Sequence, residues 1–235
     1  NPHNLQELRD ALGKDAVIIY DASHTMGLIL GHQFQDPFAE GADVISANTH
    51  KTLPGPHKGM IVFKDSNLAD RANKIIDGCL YSTPMLTHLL ALSTTLLEMA
   101  EYGEEYAKNV IENSNSVGRY FSELGYEVRK SNTGRFSENH QTHIFLEGRG
   151  DRIELYKRLL TNGISTNFDT VLGGKLFIRF GTQEITRRGF KDSDINTLAQ
   201  LIDQALKGDD VKSKVYEFNN SFNSIQYSFD KDLGL

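Results

Sequence analysis

Cysteine is nearly absent from this chain: Cys79 stands alone in 235 residues. A single thiol cannot close an intrachain disulfide, and no cysteine pair suggests a zinc site, a pattern that fits a reducing cytoplasm. Positive charge is not in excess either. Lys and Arg number 25 against 31 Asp and Glu, a formal net charge of −6. No basic block interrupts that balance, which disfavours nucleic acid or an anionic membrane as a partner. Long apolar runs are missing too. The longest apolar stretches, such as Leu89 to Leu97, are short and broken by polar residues, and no charged-then-apolar segment opens the chain. Neither a membrane span nor a signal peptide is therefore expected. The glycine signatures of nucleotide enzymes, GxGxxG and GxxxxGK[ST], do not occur, and there is no internal repeat or low-complexity tract.

What is present suits a globular protein with a real core: 39% of residues are hydrophobic and 24% charged, enough for one large domain or two modest ones. Leu5, Leu8 and Leu12 in LQELRDAL have helical spacing, and Gly13 follows as a C-cap. AVIIY (16–20) is a continuous run of the kind buried on both faces of a parallel sheet, and it ends in Asp21. A helix, a short loop and an apolar strand make half of an αβ unit, whose ligands sit beyond the carboxyl ends of the strands. ADVISA (42–47) and GMIVF (59–63) read as further strands. Their link, NTHKTLPGPHK, is too short for a helical crossover, so the pair is expected to be antiparallel with Lys51 in the connection.

From Met85 to about Gly118 the pattern turns helical, with Leu86, Leu89, Leu90, Leu97 and Val110 on the expected inner faces. Strands are expected at 126–129, 143–146 and 176–180, and helices at 153–160 and 192–206, an alternation that suggests a smaller α+β domain. The tail from Lys207 is polar, with scattered aromatics at Tyr216, Phe218, Phe222 and Tyr227. The first half supplies only about three strands, few for a buried parallel sheet of roughly five or six. The chain also starts without Met, directly at a helix. The expectation is that an N-terminal portion is missing from this sequence.

Three polar features fall where ligands bind: Asp21 to His24 (DASH) after the first strand, His50-Lys51 after the second, and Arg179 inside 176–182. On position alone Lys51 is a solvated turn lysine ahead of Pro54 and Pro56, Asp21 a helix N-cap with Ser23 nearby, Arg179 a strand-edge residue, and His24 and His50 structural histidines. Pyridoxal-phosphate catalysis gives the same residues another meaning. It needs a lysine for the Schiff base and an acid that keeps the pyridine nitrogen protonated, so that the ring can accept electrons from Cα. An amino-acid substrate adds a cation for its carboxylate, for which the planar fork of arginine is suited.

The motifs decide between the two. DASHTMGL (21–28), THKTLPGP (49–56), and RFGT (179–182) with Thr186, Arg188, Gly189 and Phe190 resemble the serine hydroxymethyltransferase family. There the corresponding stretches read D-x-A-H-x-x-G-L, T-H-K-T-L-x-G-P and R-x-G-T-x-x-x-T-x-R-G. The likeness runs in order from near residue 5 to near residue 206, and THKTLxGP is its most specific part. It implies an α/β fold of the aspartate-aminotransferase type (fold type I): 1–105 as the C-terminal part of the cofactor-binding large domain with a mixed sheet, and 106–235 as a small α+β domain. It implies Lys51 as the Schiff-base lysine, Asp21 as partner of the pyridine nitrogen, His24 on the phenolic side of the cofactor, and Arg179 on the substrate carboxylate. His50 and Asn48 lie beside the imine, and Ser82 and Thr83 near the phosphate of the partner subunit's cofactor. A cytoplasmic homodimer acting on a small amino acid is the implied form.

The chain departs from the family in places. Gly-Gly-Pro appears as Ser82-Thr83-Pro84, an arginine position in Gly-Pro-Arg-Gly holds His57, and a threonine two residues before the motif histidine is Asn48. The segment from Asn167 to Arg179 is shorter than the family's proline-containing loop, which weighs against tetrahydrofolate as co-substrate. The expected function is an aldol-type transferase or lyase at the Cα–Cβ bond of a β-hydroxy amino acid, in a serine hydroxymethyltransferase or a threonine aldolase-like form. Transamination, acyl transfer and a non-catalytic binding role are the alternatives. His140 and His143 (HQTH) have i, i+3 spacing without a third metal ligand nearby.

Overall fold

The computed structural model describes residues 2–80, 85–170 and 174–230. The chain forms two compact units, Pro2–Ala107 and Lys108–Leu235, and the architecture is α/β.

In the first unit, α1 (Leu5–Leu12) lies where the leucine spacing puts it. Asn4 accepts the Glu7 N–H at its start, and Gly13 closes it at φ 76°. The sheet has the order β1 (Ile19–Asp21), β2 (Val44–His50), β3 (Pro54–Phe63). β1 and β2 run parallel with Asp21 opposite Ser46, while β2 and β3 are antiparallel. The strands around Lys51 extend further than the sequence suggests: both prolines and Gly55 lie within β3, so the connection shrinks to 51–53. β1 is correspondingly shorter than AVIIY. It is also not buried on both faces, for Ile18 and Tyr20 are inside while Val17 and Ile19 are exposed, Ile19 at 65%. The alternating pleat explains this: successive side chains point to opposite faces, and the described residues cover one of them. α2 (Met26–Leu30) follows β1, and α3 (Ser66–Ile75) with a π-helical turn at Ile76–Leu80 follows β3.

The long helix α4 (Leu86–Glu123) is present, but its expected inner face is corrected. Val110 is fully buried, whereas Leu86, Leu89, Leu90 and Leu97 are exposed. In that part of the helix Thr95, Glu98 and Met99 face inward instead. The helical period was legible, and the side that meets the core was not.

The second unit has an antiparallel sheet in the order β4 (Gln141–Phe145), β6 (Leu176–Gly181), β5 (Asn167–Thr170). It packs with α5 (Arg152–Thr161) and α7 (Asp192–Lys207). Val117, Phe121, Ile144, Leu155, Leu159, Ile178, Ile195 and Ile202 belong to one contiguous core. The expected strand at 126–129 is reduced to a bridge between Val128 and Ile144. β5, the short α6 (Gln183–Arg187) and α8 (Lys212–Asn220) were not foreseen. The aromatic tail has a partner: Phe222 stacks on Phe190 with ring centroids 3.9 Å apart, and Phe218 meets both edge-on. Arg188 fastens this arrangement through Asn219 Oδ1 at 3.0 Å and the Phe222 carbonyl at 2.9 Å. Among the described residues no helix is long and apolar enough to cross a membrane.

Candidate active site

β1 ends at Asp21, level with Ser46, and the chain turns into α2, while the parallel β2 runs on to His50 just before Lys51. Asp21 accepts the Ser23 N–H at 2.8 Å, an Asx turn rather than a helix cap; Thr25 holds the N-cap position of α2. The turn presents His24, while the β2–β3 connection presents Lys51. Lys51 Nζ stands 3.2 Å from His24 Nε2. Two groups singled out in different motifs therefore meet side by side.

Thr52 fastens the two loops to each other. Its buried hydroxyl donates to the His24 carbonyl at 2.8 Å and accepts the Gly27 N–H at 3.1 Å. Its own carbonyl accepts the Tyr106 hydroxyl at 2.9 Å. Gly27 allows this approach because it lacks a side chain: a Cβ there would lie 2.1 Å from the Thr52 carbonyl oxygen. Neither Thr52, Gly27 nor Tyr106 was assigned a role from sequence. Thr52 and Gly27 lay inside the quoted motifs, but Tyr106 is far along α4 and nothing in its surroundings points to Thr52.

Hydrogen bonds from the Ser23 hydroxyl and N–H, aided by the nearby Lys51 and His24, hold the Asp21 carboxyl below the usual carboxylate range. It is thus ionised at neutral pH. An amine beside an imidazole, with a carboxylate kept charged, can condense with an aldehyde and hold a proton on a ring nitrogen.

The other expected residues are distributed as follows. Asn48 lies opposite Gly59 and, with Ser23, lines an open pocket of about 450 Å³. His50 stacks on His57 with ring centroids 3.7 Å apart and planes inclined by 15°. Ser82 and Thr83 lie outside the described residues. Arg179 belongs to the second unit, on the central strand β6, opposite His143 and Asn167. A guanidinium nitrogen is 3.9 Å from the Asp169 carboxylate. Burial, with Arg129 and Arg179 nearby, pushes the His143 imidazole down to about 4, so that ring is neutral at pH 7.

Comparison with known proteins agrees with the motifs. The sequence model of serine hydroxymethyltransferase matches residues 3–202. The serine hydroxymethyltransferase of Methanobrevibacter smithii is 35% identical over 242 residues, covering 99% of this chain and 57% of that protein. That of Methanothermobacter thermautotrophicus is 37% identical, over 97% and 56%. An L-threonine transaldolase from Pseudomonas fluorescens, solved in its internal aldimine state, superposes with a TM-score of 0.90 at 32% identity, covering 98% of this chain and 55% of that one. This chain therefore spans a little over half the length of the relatives it matches. The fold expected from the motifs, that of the fold-type I pyridoxal-phosphate enzymes, is the one found. With its motifs, its site geometry and a family match over most of its length in agreement, the chain belongs to the serine hydroxymethyltransferase family.

Proposed function

We propose that this chain is part of a pyridoxal-phosphate enzyme that breaks or forms the Cα–Cβ bond of a β-hydroxy amino acid. The observation that carries the reading is the 3.2 Å approach of Lys51 Nζ to His24 Nε2 at the strand ends, beside a carboxylate held ionised. That donor set fits the cofactor. The Lys51 amine is the group that condenses with the aldehyde, Asp21 holds a proton at the pyridine nitrogen, and His24 lies against the cofactor ring. Bound pyridoxal phosphate supplies the electron sink that receives the pair left on Cα when the bond breaks. Asn48 and His50 wall the site, and the hydroxyls of Ser82 and Thr83 take phosphate oxygens of the partner subunit's cofactor. Arg179 binds the substrate carboxylate through its planar fork.

The folate-free branch is favoured. The connection between β5 and β6 is only residues 171–175, and a relative of the same fold is a transaldolase. A cytoplasmic homodimer is the proposed form, supported by the single cysteine and by the exposed Leu86, Leu89, Leu90 and Leu97 on α4.

The test is the absorbance of the purified protein with added pyridoxal phosphate, followed by a screen of β-hydroxy amino acids with and without tetrahydrofolate. A protonated-imine band that disappears in Lys51→Ala, and glycine release without folate, are the expected results. A protein that shows no such band, or a Lys51→Ala variant that keeps it, overturns the reading.

A further inference from the structure

One residue where this chain departs from its family near the lysine stacks on the histidine next to that lysine in sequence. His57 stands at an arginine position of the family motif, and nothing assigns it a role. Its backbone is pinned from both sides by one side chain. The buried Thr49 hydroxyl bonds the Pro56 carbonyl, lies 3.0 Å from the Lys58 carbonyl and accepts the Lys58 N–H at 3.2 Å. Gly55 allows the two strands to close up, since a Cβ there would lie 2.8 Å from the Thr49 carbonyl oxygen. The register shifts between Asn48, opposite Gly59, and His50, opposite Pro54. His57 is exposed, yet one face of its ring covers His50 at 3.7 Å, nearly parallel.

A surface histidine on an unrestrained backbone would sample several rotamers. Here the fixed backbone and the stacked face select one. The consequence falls on His50, whose buried Nδ1 has no hydrogen-bond partner among the described residues. An imidazole with an unmet nitrogen gains by turning toward a partner, so its orientation needs an external restraint. The stacked ring is that restraint.

We propose that His57 is a positioning residue of the lysine site: its ring, stacked on His50, sets the orientation of the imidazole next to Lys51 and thereby how tightly an aldehyde cofactor is held there. This rests on the cofactor reading above. A phenyl ring can replace the stacked face, and a methyl group cannot.

The test compares His57→Ala and His57→Phe with the parent in two measurements. With ring-labelled histidine and no cofactor, the His50 ring signal, assigned through His50→Gln, should shift or broaden in His57→Ala and stay near the parent in His57→Phe. With pyridoxal phosphate, the dissociation constant read from the imine band should rise roughly two- to tenfold in His57→Ala and remain within about twofold in His57→Phe, as expected for loss and retention of one ring pair. An unchanged His50 signal in His57→Ala overturns the clamp. A changed signal with unchanged cofactor affinity, or a His57→Phe variant as weak as His57→Ala, overturns the positioning role while the cofactor reading stands. A parent protein that forms no imine overturns the cofactor reading itself, and with it the role of His57 toward that cofactor.

Discussion

Residues 2–107 and 108–235 both bury apolar side chains, but they differ in what surrounds the positions that the function would use. In the second unit, side chains from Val117 to Val211 close into one continuous core, and the aromatic tail packs Phe218 and Phe222 against Phe190 of that core. In the first unit the leucines of α4 are exposed, and the decisive positions are held by directional bonds. Arg9 binds the carbonyls of Gly41 and Ala16 and the Asp43 carboxylate, and Thr52 joins the His24 and Lys51 loops. The difference shows where geometry matters most. A hydrogen bond fixes distance and direction together, whereas apolar packing fixes volume, and Lys51 sits where direction counts.

That contrast can be broken most severely through the core. Leu159→Ala, at a position with no exposure, should cost about 2–5 kcal/mol, read as a lower denaturant midpoint. Next is Thr52→Val. It removes the buried bonds that the Thr52 hydroxyl makes to the Gly27 N–H and the His24 carbonyl, and should cost about 1–3 kcal/mol while weakening pyridoxal-phosphate binding. A small stability loss with unchanged cofactor affinity would show that the polar fastening does not serve the lysine.

A third expectation concerns pH. His143 is held at about 4 in the folded chain, against roughly 6.5 when unfolded. The unfolded state therefore binds more protons between those values, so stability is full above the unfolded value and falls as pH drops from there toward 4. Thermal melts at pH 7.5 and 4.5 should show this slope, on the order of 1–2 kcal/mol after allowance for partial solvation, and His143→Phe should remove that share of it. The smallest effect sharpens the comparison. Leu97→Ala, the same chemical change as Leu159→Ala but at a 62% exposed position, should stay within about 0.5 kcal/mol in the isolated chain.

These cases also show which features were legible in the sequence. α1 was readable because its leucine spacing and Gly13 agree, and the hairpin because its link is too short for a crossover. Specific motifs singled out Lys51, Asp21 and His24, and the structure brings two of them, Lys51 and His24, side by side. The inward face of α4 was not legible, since its leucines occupy more than one side and only the folded unit determines which side is covered. Tyr106 was invisible because its partner, the Thr52 carbonyl, lies far off in sequence. The stack of His57 on His50 depends on a register shift that spacing alone does not reveal.

Gly27 sets a limit on motion. With no room for even one added carbon between it and the Thr52 carbonyl, α2 and the loop that carries Lys51 cannot slide past each other without breaking their contact. Movement of the amine through the rotatable bonds of the lysine side chain, on the fast timescale of rotamer changes, leaves that contact intact, whereas a rearrangement of the loop breaks it. A chemist wishing to slow that amine should stiffen its side chain, because the backbone beneath it is already fixed.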